Sequence, residues 1–213
     1  LVLDTLDTLY GTAKEGFHHN HKWQLLVAIM LSAQSTDKQV EEVLPDLFDK
    51  YDTLEKMADA RLEEVEEAIK SIGLYHNKAR NIIKCCGQIL HQHGGQVPVT
   101  LEELTALAGV GRKTATLFLS DAYDIPGVTV DTHVNRISNR LGWADSKDPV
   151  KVEQQLMKVL PRDHWIRINF QLIYHGRAIC RARNPLCGKC PFGKLCEYNR
   201  RLLMGAQENA LIR

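Results

Sequence analysis

Apolar side chains recur in this chain at intervals of three and four residues almost from end to end, and that spacing confines it to helices. Val40, Val43, Leu44, Leu47 and Phe48 share one stripe of a helix predicted to begin near Asp37. Leu62, Val65, Ile69 and Ile72 form a second, predicted to stop at Gly73 because glycine readily takes the left-handed conformation that ends helices. A third runs through Ala79, Ile82, Ile83, Cys86 and Ile89 to the break at Gly94-Gly95. The longest uninterrupted apolar run, Leu25 to Leu31, reads as a buried helix; it falls well short of the roughly 20 residues that a membrane span needs. No alternating stretch is long enough for a sheet, so the expected fold class is all-α with no membrane partner.

Thr100 and Glu103 have the form of a capping box, in which hydroxyl and carboxylate satisfy each other's backbone amides, and the helix they open is predicted to end near Leu107. Gly109 and Gly111 then flank Val110 in a tight turn, and helical spacing resumes from Lys113 to Ala122, which gives a helix-hairpin-helix outline. Beyond Pro126-Gly127 and a short extended stretch, Asp131 is placed to cap a helix running to about Leu141. Asp148-Pro149 opens another, ended by Pro161. The segment from Trp165 to about Ile179 is predicted to be the last long helix, leading into a cysteine-rich loop.

A formal net charge of only +1 excludes a protein that holds nucleic acid by bulk basicity, so any such site is a local patch. Gly109-Val110-Gly111 supplies one: glycines before a helix leave backbone amides pointing outward at its positive end, where a phosphate binds without a cluster of cations. The same triplet also serves as a plain interhelical turn. Four of the six cysteines, Cys180, Cys187, Cys190 and Cys196, follow the spacing C-x6-C-x2-C-x5-C, which without secretory features favours metal over disulfides. Four thiolates suit tetrahedral zinc or a [4Fe-4S] cluster, and coordination chemistry alone leaves both open. With no coordination position left for substrate, such a site would staple the loop and present Arg181, Arg183, Lys189 and Lys194 to phosphates. Cys85 and Cys86 read as helix packing residues.

Leu107-Ala108-Gly109-Val110-Gly111-Arg112-Lys113-Thr114-Ala115, followed eighteen residues after the lysine by Asp131 within Val130-Asp131-Thr132-His133, resembles the endonuclease III family of DNA glycosylases. Leu31-Ser32-Ala33-Gln34-Ser35-Thr36-Asp37 is similar to that family's DNA-facing turn, Ile72-Gly73-Leu74-Tyr75 to its second loop, and the cysteines to its cluster. The resemblance implies two helical lobes, residues 15–125 with the hairpin and residues 1–14 with 126–213 holding a [4Fe-4S] cluster, with a DNA cleft between them. It implies a monomeric base-excision repair enzyme that removes oxidised pyrimidines from duplex DNA and cuts the strand as an abasic-site lyase, at the nucleoid in the cytoplasm if the source is bacterial.

On the same ground Lys113 attacks the sugar C1′ of the damaged nucleotide and Asp131 assists. Gln34 fills the space left by the extruded nucleotide, and Leu74 wedges in from the other strand. Gly109, Gly111, Arg112, His133, Lys189 and Lys194 complete the expected DNA contacts. Each residue also has a plainer reading: Lys113 as a phosphate contact, Asp131 as a helix cap, Gln34 as an amide linking turns, Leu74 as a core leucine. For Lys113 the first turn of a helix, beside Arg112, favours loss of the proton that blocks attack.

The chain departs from the family pattern in having Ala108 where proline is usual, expected to loosen the turn, and Thr105 where glutamate is common, expected to alter hydrogen bonding behind the pocket. A monofunctional adenine-type glycosylase and a non-catalytic helix-hairpin-helix DNA-binding module compete with the leading reading. Borohydride trapping separates them, because only a Schiff-base enzyme becomes attached to abasic DNA.

Overall fold

The structure, a computed structural model, describes residues 1–12, 17, 19 and 21–211, with backbone alone for Asp37 and residues 205–211. In chain order the helices are α1 (Val2–Tyr10), α2 (Lys22–Ser32), α3 (Asp37–Lys50), α4 (Leu54–Ala58), α5 (Leu62–Ala68), α6 (Tyr75–Gln92), α7 (Leu101–Ala106), α8 (Arg112–Tyr123), α9 (Thr132–Leu141), α10 (Pro149–Val159), α11 (Ile168–Ala178) and α12 (Glu197–Leu211). Among the described residues there is no strand, so the all-α expectation holds. Nor is any described helix long and apolar enough to cross a membrane. The chain forms two compact units, one continuous (Gly16–Ile125) and one built from both ends (Leu1–Glu15 with Pro126–Arg213). The lobe boundary expected at residues 14 and 15 lies outside the described residues.

In the continuous unit α2 is the central element. Trp23 and every residue from Leu25 to Leu31 are buried, as a helix that is apolar all round requires. Val40, Val43, Leu44 and Leu47 of α3 pack on it behind a capping box formed by Thr36 and Gln39. At Thr100 the expected box takes another form: the hydroxyl accepts from the Glu103 N–H at 3.2 Å but donates to the Glu103 carboxylate at 2.6 Å. A second difference is larger. Helix α5 ends at Ala68, and a turn closed by the Ile72 N–H on the Ile69 carbonyl keeps both isoleucines buried. Gly73 is not left-handed; the left-handed residue is Leu74, with φ 60°.

The unit built from both ends of the chain buries Leu6, Val134, Ile137, Val152, Leu156, Ile168, Leu172 and Phe192. Its α11 begins at Ile168, after a single 3-10 turn over Arg162–His164, and it is not the last long helix. Helix α12 follows directly on Cys196. Its Leu202, Leu203 and Met204 are all exposed, so it carries no apolar stripe in this stretch that periodicity could have detected.

Helix α1 is fastened to α11 by Asp7. Its carboxylate accepts from Arg167 Nε at 2.9 Å, Arg167 Nη2 at 3.2 Å and Gln171 Nε2 at 2.8 Å. Burial pushes the Asp7 carboxyl up, but the bonds from Arg167 and Gln171 and the guanidinium charge together outweigh it and hold it below the ordinary 3.8. A carboxyl depressed on folding stabilises the folded state fully above its unfolded value and loses that contribution as pH falls through its folded one. Asp7→Ala is therefore expected to cost about 2 kcal/mol by urea unfolding at neutral pH. The gap to the unmodified chain should narrow below pH 4; a gap that stays constant into acid would remove the carboxylate from the account.

Candidate active site

Helices α7 and α8 are joined by the predicted glycine turn. Gly109 has φ +74°, and a Cβ there would fall 2.7 Å from the Cβ of Asn81 on α6, so both the backbone and the close approach require glycine. Val110 is buried and anchors the turn. Gly111 caps α8 without a side-chain hydrogen bond, and a Cβ built on it meets nothing within 4 Å. Among the described residues no N-cap side chain bonds to the first turn of α8, at the positive end of the helix.

Both departures from the family pattern find a local hydrogen-bonding solution. The Ala108 N–H, a donor that proline lacks, is held by Gln88 Oε1 at 2.7 Å, which offsets the conformational freedom gained. The Thr105 hydroxyl turns back on its own helix, donating to the Leu101 and Glu102 carbonyls.

Lys113 is the second residue of α8, and both it and Arg112 are exposed. Gln34 and Leu74 are also exposed, Leu74 at 60%, and both have left-handed backbones, φ 59° and 60°. A left-handed leucine is strained and its side chain here is out in solvent, which removes the core-leucine reading. The two turns are neighbours: a Cβ on Gly73 would lie 3.6 Å from the Gln34 carbonyl oxygen. Lys113, Gln34 and Leu74 belong to the continuous unit, Asp131 and His133 to the other.

Asp131 is the N-cap of α9, its Oδ1 accepting from the Val134 N–H at 2.8 Å, as an aspartate in that place should. His133 is half-buried, with Nδ1 3.0 Å from an Arg136 guanidinium nitrogen; burial in the first place holds its pKa below the ordinary value. A side chain at Gly176 on α11 would collide with this ring.

All four loop cysteines line one pocket, together with Arg140, Pro185, Leu186 and Tyr198. Sequence reasoning missed the arginines that hold it. Arg140 donates to Cys180 Sγ at 3.3 Å, to the Arg181 carbonyl at 2.7 Å and to the Ala182 carbonyl at 3.1 Å, and lies over the Tyr198 ring. Arg136, one turn earlier, donates twice to the Cys180 carbonyl. Their four-residue spacing on α9 was the available signal. His175, almost fully buried, brings Nε2 to 3.6 Å from Cys190 Sγ and Nδ1 to 3.0 Å from the Tyr10 hydroxyl. Among the described residues no three His, Cys, Asp or Glu side chains close around a point suited to a single ion. The four thiols are a donor set that suits tetrahedral zinc and an iron–sulfur cluster alike. Lys189, Lys194, Arg181 and Arg183 are exposed on the loop. Cys85 and Cys86 are fully buried in α6, and burial pushes the Cys85 thiol up to about 12, so neither is a reactive group.

Residues 27–162 match the model of the HhH-GPD superfamily of base excision DNA repair proteins. Endonuclease III of Synechocystis sp. is 45% identical over 196 residues, 92% of this chain and 90% of that protein. The Escherichia coli K12 endonuclease III is 43% identical over 180 residues, 84% of this chain and 85% of that one. A solved structure of a trapped endonuclease III–DNA covalent intermediate superposes with a TM-score of 0.85 at 41% identity, covering 94% of this chain and 95% of that one.

Proposed function

The chain belongs to the HhH-GPD superfamily of base excision DNA repair proteins, within it to the endonuclease III family, and from that premise we propose that it excises oxidised pyrimidines from duplex DNA and then cuts the strand as an abasic-site lyase. The observation that carries the reading is the start of α8, where uncapped amides and an exposed first-turn lysine stand side by side. The amides hold a backbone phosphate, and Arg112 adds charge to the grip. The neutral Lys113 amine attacks C1′ of the extruded nucleotide, the bond to the base breaks, and the electron pair leaves with the base. Asp131 stabilises the positive charge that develops on the sugar and helps take the proton that the amine loses. Ring opening then gives a Schiff base between Nζ and C1′. Its electron demand acidifies the C2′ proton, and loss of that proton expels the 3′ phosphate by β-elimination.

Gln34 and Leu74 fill the stack that the extruded nucleotide vacates. Their exposure and shared backbone strain support this, since strain of that kind is retained where function demands it. Cys180, Cys187, Cys190 and Cys196 would hold a [4Fe-4S] cluster that staples the loop, so that His133, Lys189 and Lys194 reach phosphates in register. In a bacterial cell the substrate would place the protein at the nucleoid.

Incubation with a duplex carrying one oxidised pyrimidine tests the proposal. Free base, a cleaved strand and, with borohydride, a covalent protein–DNA adduct are the expected products; base release without any adduct would leave a glycosylase but defeat the lyase. The hairpin itself is tested by Gly109→Ala. The left-handed backbone and the clash with Asn81 together should cost about 2–4 kcal/mol of stability. At a temperature where the variant remains folded, it should bind undamaged duplex at least about tenfold more weakly. Unaltered duplex affinity would mean that the turn does not touch DNA.

A further inference from the structure

Lys78 is a charged side chain in an apolar place. It lies in the first turn of α6, only 9% exposed, on the stripe that continues through Ile82, Cys86 and Ile89. Its ammonium donates to the Leu31 carbonyl at 2.7 Å and to the Ser35 hydroxyl at 2.9 Å. The Leu31 carbonyl is one of the last four of α2, which have no partner inside the helix and carry its negative end, so a cation is favoured there. Ser35 follows left-handed Gln34 in the turn that leaves α2, a turn closed by the Ser35 N–H on the Ser32 carbonyl. Four residues before Lys78 stands Leu74, whose carbonyl accepts the Lys78 N–H at 3.1 Å. One residue thus bonds to both strained turns, by its side chain to the first and by its backbone to the second.

Burying an ammonium is costly, and burial holds the Lys78 pKa below that of an ordinary lysine. A leucine or methionine would fill this position on the stripe without that cost, so packing alone does not account for the lysine. We propose that Lys78 is a positioning residue that sets the separation and aim of Gln34 and Leu74, so that the two enter the DNA stack together when a nucleotide is extruded. The proposal rests on the assignment of Gln34 and Leu74 as wedges. Two exposed left-handed residues on separate turns have no mutual register of their own; a shared charged anchor supplies one.

The test is equilibrium binding to two duplexes, one undamaged and one carrying a tetrahydrofuran abasic analogue with 2-aminopurine opposite it. Lys78→Met keeps the aliphatic stem and removes the donors. It should weaken binding to the analogue duplex about tenfold, as loss of hydrogen bonds from a buried charge implies, and diminish the 2-aminopurine fluorescence rise. Affinity for undamaged duplex should stay within about twofold, because that binding rests on phosphate contacts. Ser35→Ala, which removes half of the tie, should show a smaller loss in the same direction. The reference is the double variant Gln34→Gly with Leu74→Gly, since glycine keeps the left-handed backbones while deleting both side chains; Lys78→Met should add nothing in that background.

If the double glycine variant binds the analogue like the unmodified protein, the wedge assignment fails and this proposal falls with it. If the double variant loses affinity while folded Lys78→Met keeps it, the wedges stand and Lys78 is not their anchor. Should Lys78→Met fail to fold, Ser35→Ala decides: unaltered analogue affinity and fluorescence there would overturn the proposal.

Discussion

Lys113→Ala is expected to abolish borohydride trapping on an abasic duplex and to slow strand cutting by on the order of 10³-fold or more, the scale on which enzymes lose rate when a nucleophile or its proton acceptor is deleted. Binding to an uncleavable abasic duplex should change little by comparison. The plainer role for this lysine, a phosphate contact, makes the opposite forecast: weaker binding, a salt dependence reduced by about one unit of slope, and trapping that persists through another amine. Asp131 divides its two roles in the same way. Asparagine caps helices about as well as aspartate, so Asp131→Asn should leave thermal stability nearly unchanged while activity falls by about 10²–10⁴-fold. Asp131→Ala should show the same kinetic loss with about 1 kcal/mol of destabilisation added. A fully active Asp131→Asn would confine the residue to its bond with the Val134 N–H.

The second large effect is expected in the cysteine loop. If the proposed cluster orders the loop, Cys187→Ser should lose the brown colour of an iron–sulfur protein and destabilise the unit built from both chain ends, whose core includes Phe192 of that loop. The unit spanning residues 16–125 has its own core, and its unfolding should be unaffected. Arg140→Ala gives a graded version. Removing three charge-assisted bonds to Cys180, Arg181 and Ala182 is expected to cost about 3 kcal/mol, and the colour should bleach faster with a chelator. Arg140→Lys should recover little of this, since a single ammonium cannot reproduce the guanidinium fork. A colourless protein carrying one zinc would replace the cluster with a tetrahedral ion.

The apolar spacing made most of the helices legible because burial of one face is what repeats at three and four residues. It fails where burial and conformation part company. Gly73 looked like the left-handed residue because glycine takes that form without strain, yet the structure assigns it to Leu74, at a cost that periodicity cannot express. Helix α12 was invisible because its first turns present Leu202, Leu203 and Met204 to solvent. The residues proposed to carry the chemistry stood out through spacing and resemblance. Those that hold them in place did not, since Arg140, Gln88 and Gly176 act through bonds and close approaches to residues distant in sequence. Lys78 was the exception that could have been found: a lysine occupying a core position of an otherwise apolar stripe conflicts with its own helix, and such conflicts point to a role.

The bond between Asp7 and Arg167 joins residues 160 positions apart. During synthesis at about 5–20 residues per second, α1 therefore leaves the ribosome roughly ten to thirty seconds before its docking site on α11 exists. Over that interval the stretch from Gly16 to Ile125, whose own longest tie runs from Lys22 to the Ala122 carbonyl and closes as soon as α8 is made, can fold first. The N-terminal nine-residue helix, carrying Leu6 for the other core, must wait uncovered until the C-terminal third arrives. Maturation of the protein is thus paced by its last helices, and conditions that stall translation late should expose α1 to proteases while the first unit is already resistant.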